Sequence, residues 1–133
     1  MTMTSRTLPC GGPRLSRLGI GTAQFGTDYG FTKAKSQAEV DGILDACAAR
    51  GVNVLDTAPA YGDSEAKIGD YLRRRPSGAF VAATKLGADA PRASVESSLK
   101  TLGLARLELL QLHRGDPAAL GDEGLWTELA ALR

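Results

Sequence analysis

Short apolar runs alternate along this chain with longer stretches in which apolar residues recur every third or fourth position. The runs are Leu18-Gly19-Ile20-Gly21, Val52-Asn53-Val54-Leu55, Phe80-Val81-Ala82-Ala83 and Leu107 to Leu112, the last apolar apart from Glu108 and Gln111. Their brevity and composition predict buried strands. A long glycine-rich loop holding Gln24, Phe25, Asp28 and Tyr29 follows the first run. A helix then opens at Ser36, where Glu39 completes a capping box. Its stripe is Val40, Ile43, Leu44, Cys47 and Ala48, and Gly51 closes it.

The same alternation continues to the end. A second helix starting near Asp63 or Ser64 turns Ile68, Tyr71 and Leu72 inward, and Pro76 to Gly78 break the chain after it. Pro91 suits the first turn of a third helix, with the stripe Val95, Leu99 and Leu102, closed by Gly103. Asp116-Pro117 reads as an N-cap and first-turn proline, and a last helix carries Leu125, Trp126 and Leu129. Four strand–helix units in strict alternation predict a parallel sheet with helices outside it. Ahead of them, Arg6 to Leu8 and Arg14 to Arg17 flank Pro9-Cys10-Gly11-Gly12-Pro13, the pattern of a separate β-hairpin.

Composition narrows the function classes. The 133 residues suffice for one domain, and 43% apolar with 23% charged content is globular. The formal net charge is +1, with no basic patch dense enough for nucleic acid or anionic lipid. Arg73-Arg74-Arg75 reads as a solvated helix end that complements the C-terminal dipole. Cys10 and Cys47 lie far apart without metal-ligand spacing, and Cys47, on its helical stripe, reads as a buried free thiol. No apolar stretch matches a signal peptide or a membrane span, so the expected setting is cytoplasmic, with no membrane partner.

The informative residues follow the strands. The second run ends on Asp56, the third reaches Lys85 after Thr84, and the fourth reaches His113; Tyr61 lies five residues after Asp56. In a parallel α/β fold the C-terminal strand ends share one face, so these four side chains are expected to converge there. Each alone has an ordinary alternative: Asp56 as a turn residue, Lys85 as a solubilising strand end, His113 as a satisfied structural group. Together they favour a site, because buried strand ends disfavour charges without partners.

These residues sit in segments that resemble the aldo-keto reductase family: Leu18-Gly19-Ile20-Gly21-Thr22-Ala23-Gln24-Phe25-Gly26, Leu55-Asp56-Thr57-Ala58-Pro59-Ala60-Tyr61-Gly62, Thr84-Lys85 and Leu112-His113-Arg114. The match is collinear and covers nearly the whole chain. It implies the N-terminal part of a TIM (β/α)8 barrel, about four βα units preceded by the β-hairpin that plugs the barrel floor. It also implies NAD(P)H-dependent reduction of an aldehyde or ketone to an alcohol. Tyr61 would then be the general acid and Lys85 the ammonium that eases its proton donation. Asp56 would pair with Lys85, and His113 would hydrogen-bond the carbonyl oxygen. Gly21, Thr22 and Asp56 would line the nicotinamide side of the pocket. NADPH is the cofactor expected from family habit, and no metal is implied.

A whole barrel takes about 250 residues, so residues 1–133 are expected to be a partial domain, truncated at the C-terminus. The later loops that contact the cofactor's phosphates and adenosine in the family would be absent. Gly19-Ile20-Gly21 is only a fragment of a dinucleotide-binding glycine pattern and opens no helix. The expected partners are a small carbonyl substrate and either self-association or a complementing C-terminal half, with no nucleic acid. Two other readings stand beside the reductase. One is a non-catalytic remnant or regulatory fragment. The other is a Schiff-base aldolase using Lys85, against which an Asp56 ion pair would hold the lysine protonated.

Overall fold

In the computed structural model, which describes residues 3–9, 11–75, 80–87 and 89–132, the four apolar runs become one parallel sheet. Strands β1 (Ser5–Thr7) and β2 (Arg14–Ser16) form the leading antiparallel hairpin, with Ser5 opposite Ser16 and Thr7 opposite Arg14. Strands β3 (Gly19–Gly21), β4 (Val54–Asp56), β5 (Val81–Leu86) and β6 (Leu109–Leu112) then pair in sequence order, all parallel. The strands are shorter at their starts than the apolar runs: β4 omits Val52 and β6 omits Leu107. Strand β5 instead runs past Lys85, which is therefore a residue of the ladder and not of the loop beyond it.

Helix α2 (Gln37–Ala49) starts with the reciprocal Ser36–Glu39 capping box and ends before Gly51, whose φ of 71° needs a residue without a Cβ. Helices α3 (Ser64–Arg74) and α4 (Pro91–Leu102) follow β4 and β5, and α5 (Pro117–Leu120) and α6 (Glu123–Ala130) follow β6. Asp116 caps α5 by accepting from Ala119 N at 2.8 Å. The core lies between the sheet and these helices: Val40, Leu44, Leu55, Ile68, Tyr71, Ala82 and Leu102 are buried together with Phe25.

Three expectations need correction. The loop after β3 is not all loop: Ala23–Gly26 form a short helix, α1, which drives Phe25 into the core. The arginine run is not simply a solvated helix end. Arg74 pairs with Asp41 and Asp70, and Arg75 with Asp45, so the end of α3 is tied across to α2. The stripe on α2 is narrower than its spacing suggested, with Ala48 exposed and Cys47 half-buried; partial burial still pushes the Cys47 thiol's pKa upward. Cys10 and the break at Pro76 to Gly78 lie outside the described residues.

Asn53 ties the hairpin to the sheet. Asn53, just before β4, accepts from Ser16 N at 2.7 Å through Oδ1 and donates to the Arg14 carbonyl at 2.8 Å through Nδ2. Its backbone N–H donates to Ser16 Oγ at 2.9 Å. The hairpin is thereby fixed at the strands' N-terminal side, which leaves the opposite side to the chemistry-bearing residues.

Candidate active site

Asp56 is the last residue of β4, Lys85 the penultimate residue of β5, and His113 the residue after β6. The parallel register places these ends at one edge, and His113 N extends the ladder by donating to the Leu86 carbonyl at 2.8 Å. The Lys85 ammonium donates to Asp56 Oδ1 at 2.6 Å and to the Thr57 carbonyl at 3.0 Å. It also lies 4.9 Å from the centre of the Tyr61 ring. Tyr61 meets His113 edge-on, with ring centroids 5.8 Å apart at 74°. All four predicted residues are thus brought into one cluster.

Burial divides the cluster. The Lys85 side chain is 13% exposed and that of Asp56 43%, so the cation is largely withdrawn from water while its partner stays at the rim. An ammonium in that position is held by its two oxygen acceptors and the negative face of the Tyr61 ring. Two members of the cluster, Lys85 and His113, line a cleft of about 630 Å³ together with Pro59, Ala60, Asp89 and Arg114, among others.

Of the residues expected on the cofactor side, Gly21 and Asp56 sit directly opposite one another in the β3–β4 register. Gly21 is exposed, and a Cβ placed on it would meet nothing within 4 Å. Thr22 is different. Its side chain is fully buried, and its hydroxyl donates to the Asp56 carbonyl at 3.0 Å and accepts from Ser64 Oγ at 2.9 Å. Its backbone is committed as well: the N–H donates to the Asp56 carbonyl at 3.0 Å and the carbonyl accepts from Phe25 N at 2.9 Å, so Thr22 braces the strand ends from behind.

The sequence reading missed the layer that supports the cluster. The single Ser64 hydroxyl proton is shared between Thr22 Oγ1 and the Thr22 carbonyl, each 2.9 Å away, and Ser64 Oγ lies 3.3 Å from Thr57 Oγ1. Glu65, buried, accepts from Thr84 Oγ1 at 2.6 Å and is 3.3 Å from Ser98 Oγ. The signal was available at Thr84: side chains alternate along a strand, so the neighbour of an inward Lys85 faces the helices and its hydroxyl needs a partner there. A second missed feature is backbone contact between α1 and the Tyr61 loop. A Cβ on Gly26 would fall 1.9 Å from the Tyr61 carbonyl oxygen, and one on Gly62 would fall 2.2 Å from the Gly26 carbonyl oxygen. Lys67, paired with Asp63 at 2.8 Å, also donates to the Phe25 carbonyl at 2.8 Å across the same junction.

Among the described residues no group of three or more His, Cys, Asp or Glu is placed to hold a metal ion, and no helix is long and apolar enough to cross a membrane.

Residues 17–133 match the model of the aldo/keto reductase family. This chain belongs to that family. Among its relatives, the aldo-keto reductase YhdN of Bacillus subtilis is 35% identical over 80% of this chain, and D-threo-aldose 1-dehydrogenase of a Pseudomonas species is 28% identical over 85%. The chain spans less than half of either protein, 36% and 44% of their lengths. A crystal structure described as that of an aldo-keto reductase from Pseudomonas aeruginosa superposes with a TM-score of 0.86 at 34% identity, covering 98% of this chain and 57% of that one. The aldo-keto reductase AKR11C1 of Bacillus halodurans superposes with a TM-score of 0.67 at 29% identity, covering 97% and 44%. The four βα units and their hairpin are therefore the N-terminal part of the (β/α)8 barrel of an oxidoreductase family that uses nicotinamide cofactors.

Proposed function

We propose that the Asp56–Tyr61–Lys85–His113 cluster is the catalytic centre of an NADPH-dependent aldehyde or ketone reductase, whose activity requires the rest of the barrel. The observation that carries this reading is the position of the Lys85 ammonium, bound to Asp56 Oδ1 at 2.6 Å while facing the Tyr61 ring at 4.9 Å.

The residues divide the work as follows. Gly21 leaves room at the strand end for a flat ring, and Asp56 beside it supplies a polar edge, so these two would hold the nicotinamide, with Thr22 bracing them from behind through its bonds to the Asp56 carbonyl. A reduced nicotinamide, when held there, would supply the hydride that the carbonyl carbon takes up. Tyr61 gives its phenolic proton to the carbonyl oxygen, completing the alcohol. Lys85 stabilises the phenolate left behind, and Asp56 keeps that lysine charged and aimed. His113, which lines the cleft, donates to the carbonyl oxygen and orients it.

The same ion pair weighs against the Schiff-base reading, since a nucleophilic lysine must lose its proton and Lys85 donates to two acceptors. Cofactor choice differs within the family: a relative in Escherichia coli, 38% identical over 55% of this chain, is an NADH-specific methylglyoxal reductase. NADPH is therefore the narrower part of the proposal. A remnant without catalysis would keep the cluster but reduce no carbonyl in any completed barrel.

The test is a barrel completed by fusing this chain to the C-terminal half of one of its relatives, followed by NADPH oxidation with a small aldehyde. Turnover is expected, and Tyr61→Phe should reduce it about 10²–10⁴-fold, the usual contribution of a general acid. A Tyr61→Phe fusion with undiminished turnover would refute the assignment.

A further inference from the structure

Glu65 is a buried carboxylate that the proposed chemistry does not use. It is 5% exposed, and none of the ion pairs among the described residues involves it. Its hydrogen-bond partners are two neutral hydroxyls, Thr84 Oγ1 at 2.6 Å and Ser98 Oγ at 3.3 Å. Burying a charged group against neutral donors is a costly way to hold a helix, and an apolar side chain of similar volume would fill the space more cheaply. What a carboxylate adds is direction, because each oxygen must point at its donor. The site is also suited to negative charge. Glu65 lies in the first turn of α3, at the positive end of the helix dipole, and the N-cap Asp63 makes no side-chain cap there.

The location gives this direction a purpose. Tyr61, Gly62 and Asp63 lead straight into α3, so the first turn of that helix sets where the phenol stands. Ser64 ties the turn to Thr22 and Thr57, at the ends of β3 and β4. Glu65 ties it to Thr84, the residue immediately before Lys85 on β5, and to Ser98 on α4. We propose that Glu65 is a positioning residue: its carboxylate, bridging Thr84 and Ser98, fixes the Tyr61 loop relative to the strand that carries Lys85. Its importance for proton delivery rests on the reductase reading; the placement itself does not.

His113 gives a direct readout, because it is the only histidine in the chain and its ring meets Tyr61 edge-on at 5.8 Å. Its imidazole proton resonances can therefore be followed by NMR in this chain as it stands. Tyr61→Leu, which removes the aromatic ring, gives the reference for a lost contact. Glu65→Gln, nearly isosteric but uncharged, should move the His113 resonances most of the way to that reference and abolish the Tyr61–His113 Overhauser effect. Glu39→Gln, which loosens the remote cap of α2, should leave both unchanged. If Glu65→Gln does not fold, Thr84→Val and Thr84→Ser decide. Loss of the hydroxyl should displace the His113 signal, and the serine should restore it. A folded Glu65→Gln or Thr84→Val chain with the parent's His113 resonances overturns the proposal, whether or not the completed barrel reduces carbonyls. Loss of the signature in a barrel that then proves inactive would retain Glu65 as a positioning residue and remove the reductase reading alone.

Discussion

Lys85 Nζ reaches Asp56 Oδ1 at 2.6 Å across the boundary between two neighbouring parallel strands. The two ends of this bond are unequal, because the lysine is largely buried and the aspartate is near half-exposed. Removing the aspartate strands a buried cation; removing the lysine leaves a carboxylate that water can reach. Asp56→Asn should therefore cost on the order of 1–3 kcal/mol, and Lys85→Met less. Urea midpoints of the two variants check the order, and a larger loss for Lys85→Met would contradict it.

Alkaline stability should depend on Tyr71. Burial first, and then its hydrogen bond to Asp45 at 2.9 Å, push the phenol's pKa from the ordinary 10 up to about 12. A pKa raised by folding gives stability that is fully present below the unfolded value and lost as pH climbs through the folded one. The chain should thus hold its Tyr71 contribution to about pH 10 and lose it towards about pH 12. Urea midpoints taken upward from about pH 8 should fall more steeply for the parent than for Tyr71→Phe. Parallel slopes would show that Tyr71 keeps its ordinary acidity.

Two glycines should respond in opposite directions. Gly42 lies inside α2 with open space around it, so Gly42→Ala should stabilise by about 0.5–1 kcal/mol through helix propensity. Gly62 has a φ of 57° and faces the Gly26 carbonyl at a separation no Cβ can occupy. Gly62→Ala should cost roughly 1–2 kcal/mol for the left-handed backbone alone, with the clash added. Thermal melts followed by circular dichroism give both signs.

Among the described residues, the sheet order leaves one side of β3 and one side of β6 without a partner strand. Beside β6, the apolar residues Val95, Leu99, Leu120, Trp126 and Leu129 line a groove of about 920 Å³. Unpaired strand edges and open apolar surface both favour association. Light scattering on the 133-residue chain should show self-association that rises with concentration and leaves the chain dispersed in dilute samples, and a monomer at every concentration would count against it.

The parts of this molecule legible in its sequence are those written locally. Buried parallel strands appear as apolar runs, and caps such as Ser36–Glu39 and Asp116–Pro117 carry their signal within a few residues. The cluster proposed for catalysis is visible because charges at the ends of apolar strands are conspicuous. Helix α1 is not, since four residues ending in glycine have no period to read, although they bury Phe25. The arginines of α3 gave no hint of their partners, because Asp41 and Asp45 lie some thirty positions earlier on another helix. Glu65 and Ser98 carry no local signal of their contact, because they stand 33 positions apart and meet only where α3 packs on α4.

The adjacent residues Thr84 and Lys85 face opposite sides of β5, one towards the helices and Glu65, the other towards the cleft. Their order makes the strand intolerant of slippage. Moving β5 by a single position would carry an ammonium beneath the helix layer and leave a hydroxyl at the mouth of the cleft. Both Asp56 and Glu65 would lose their partners in the same event, so a misaligned sheet is penalised twice. The residues proposed for chemistry thus also help to select the one alignment in which that chemistry is possible.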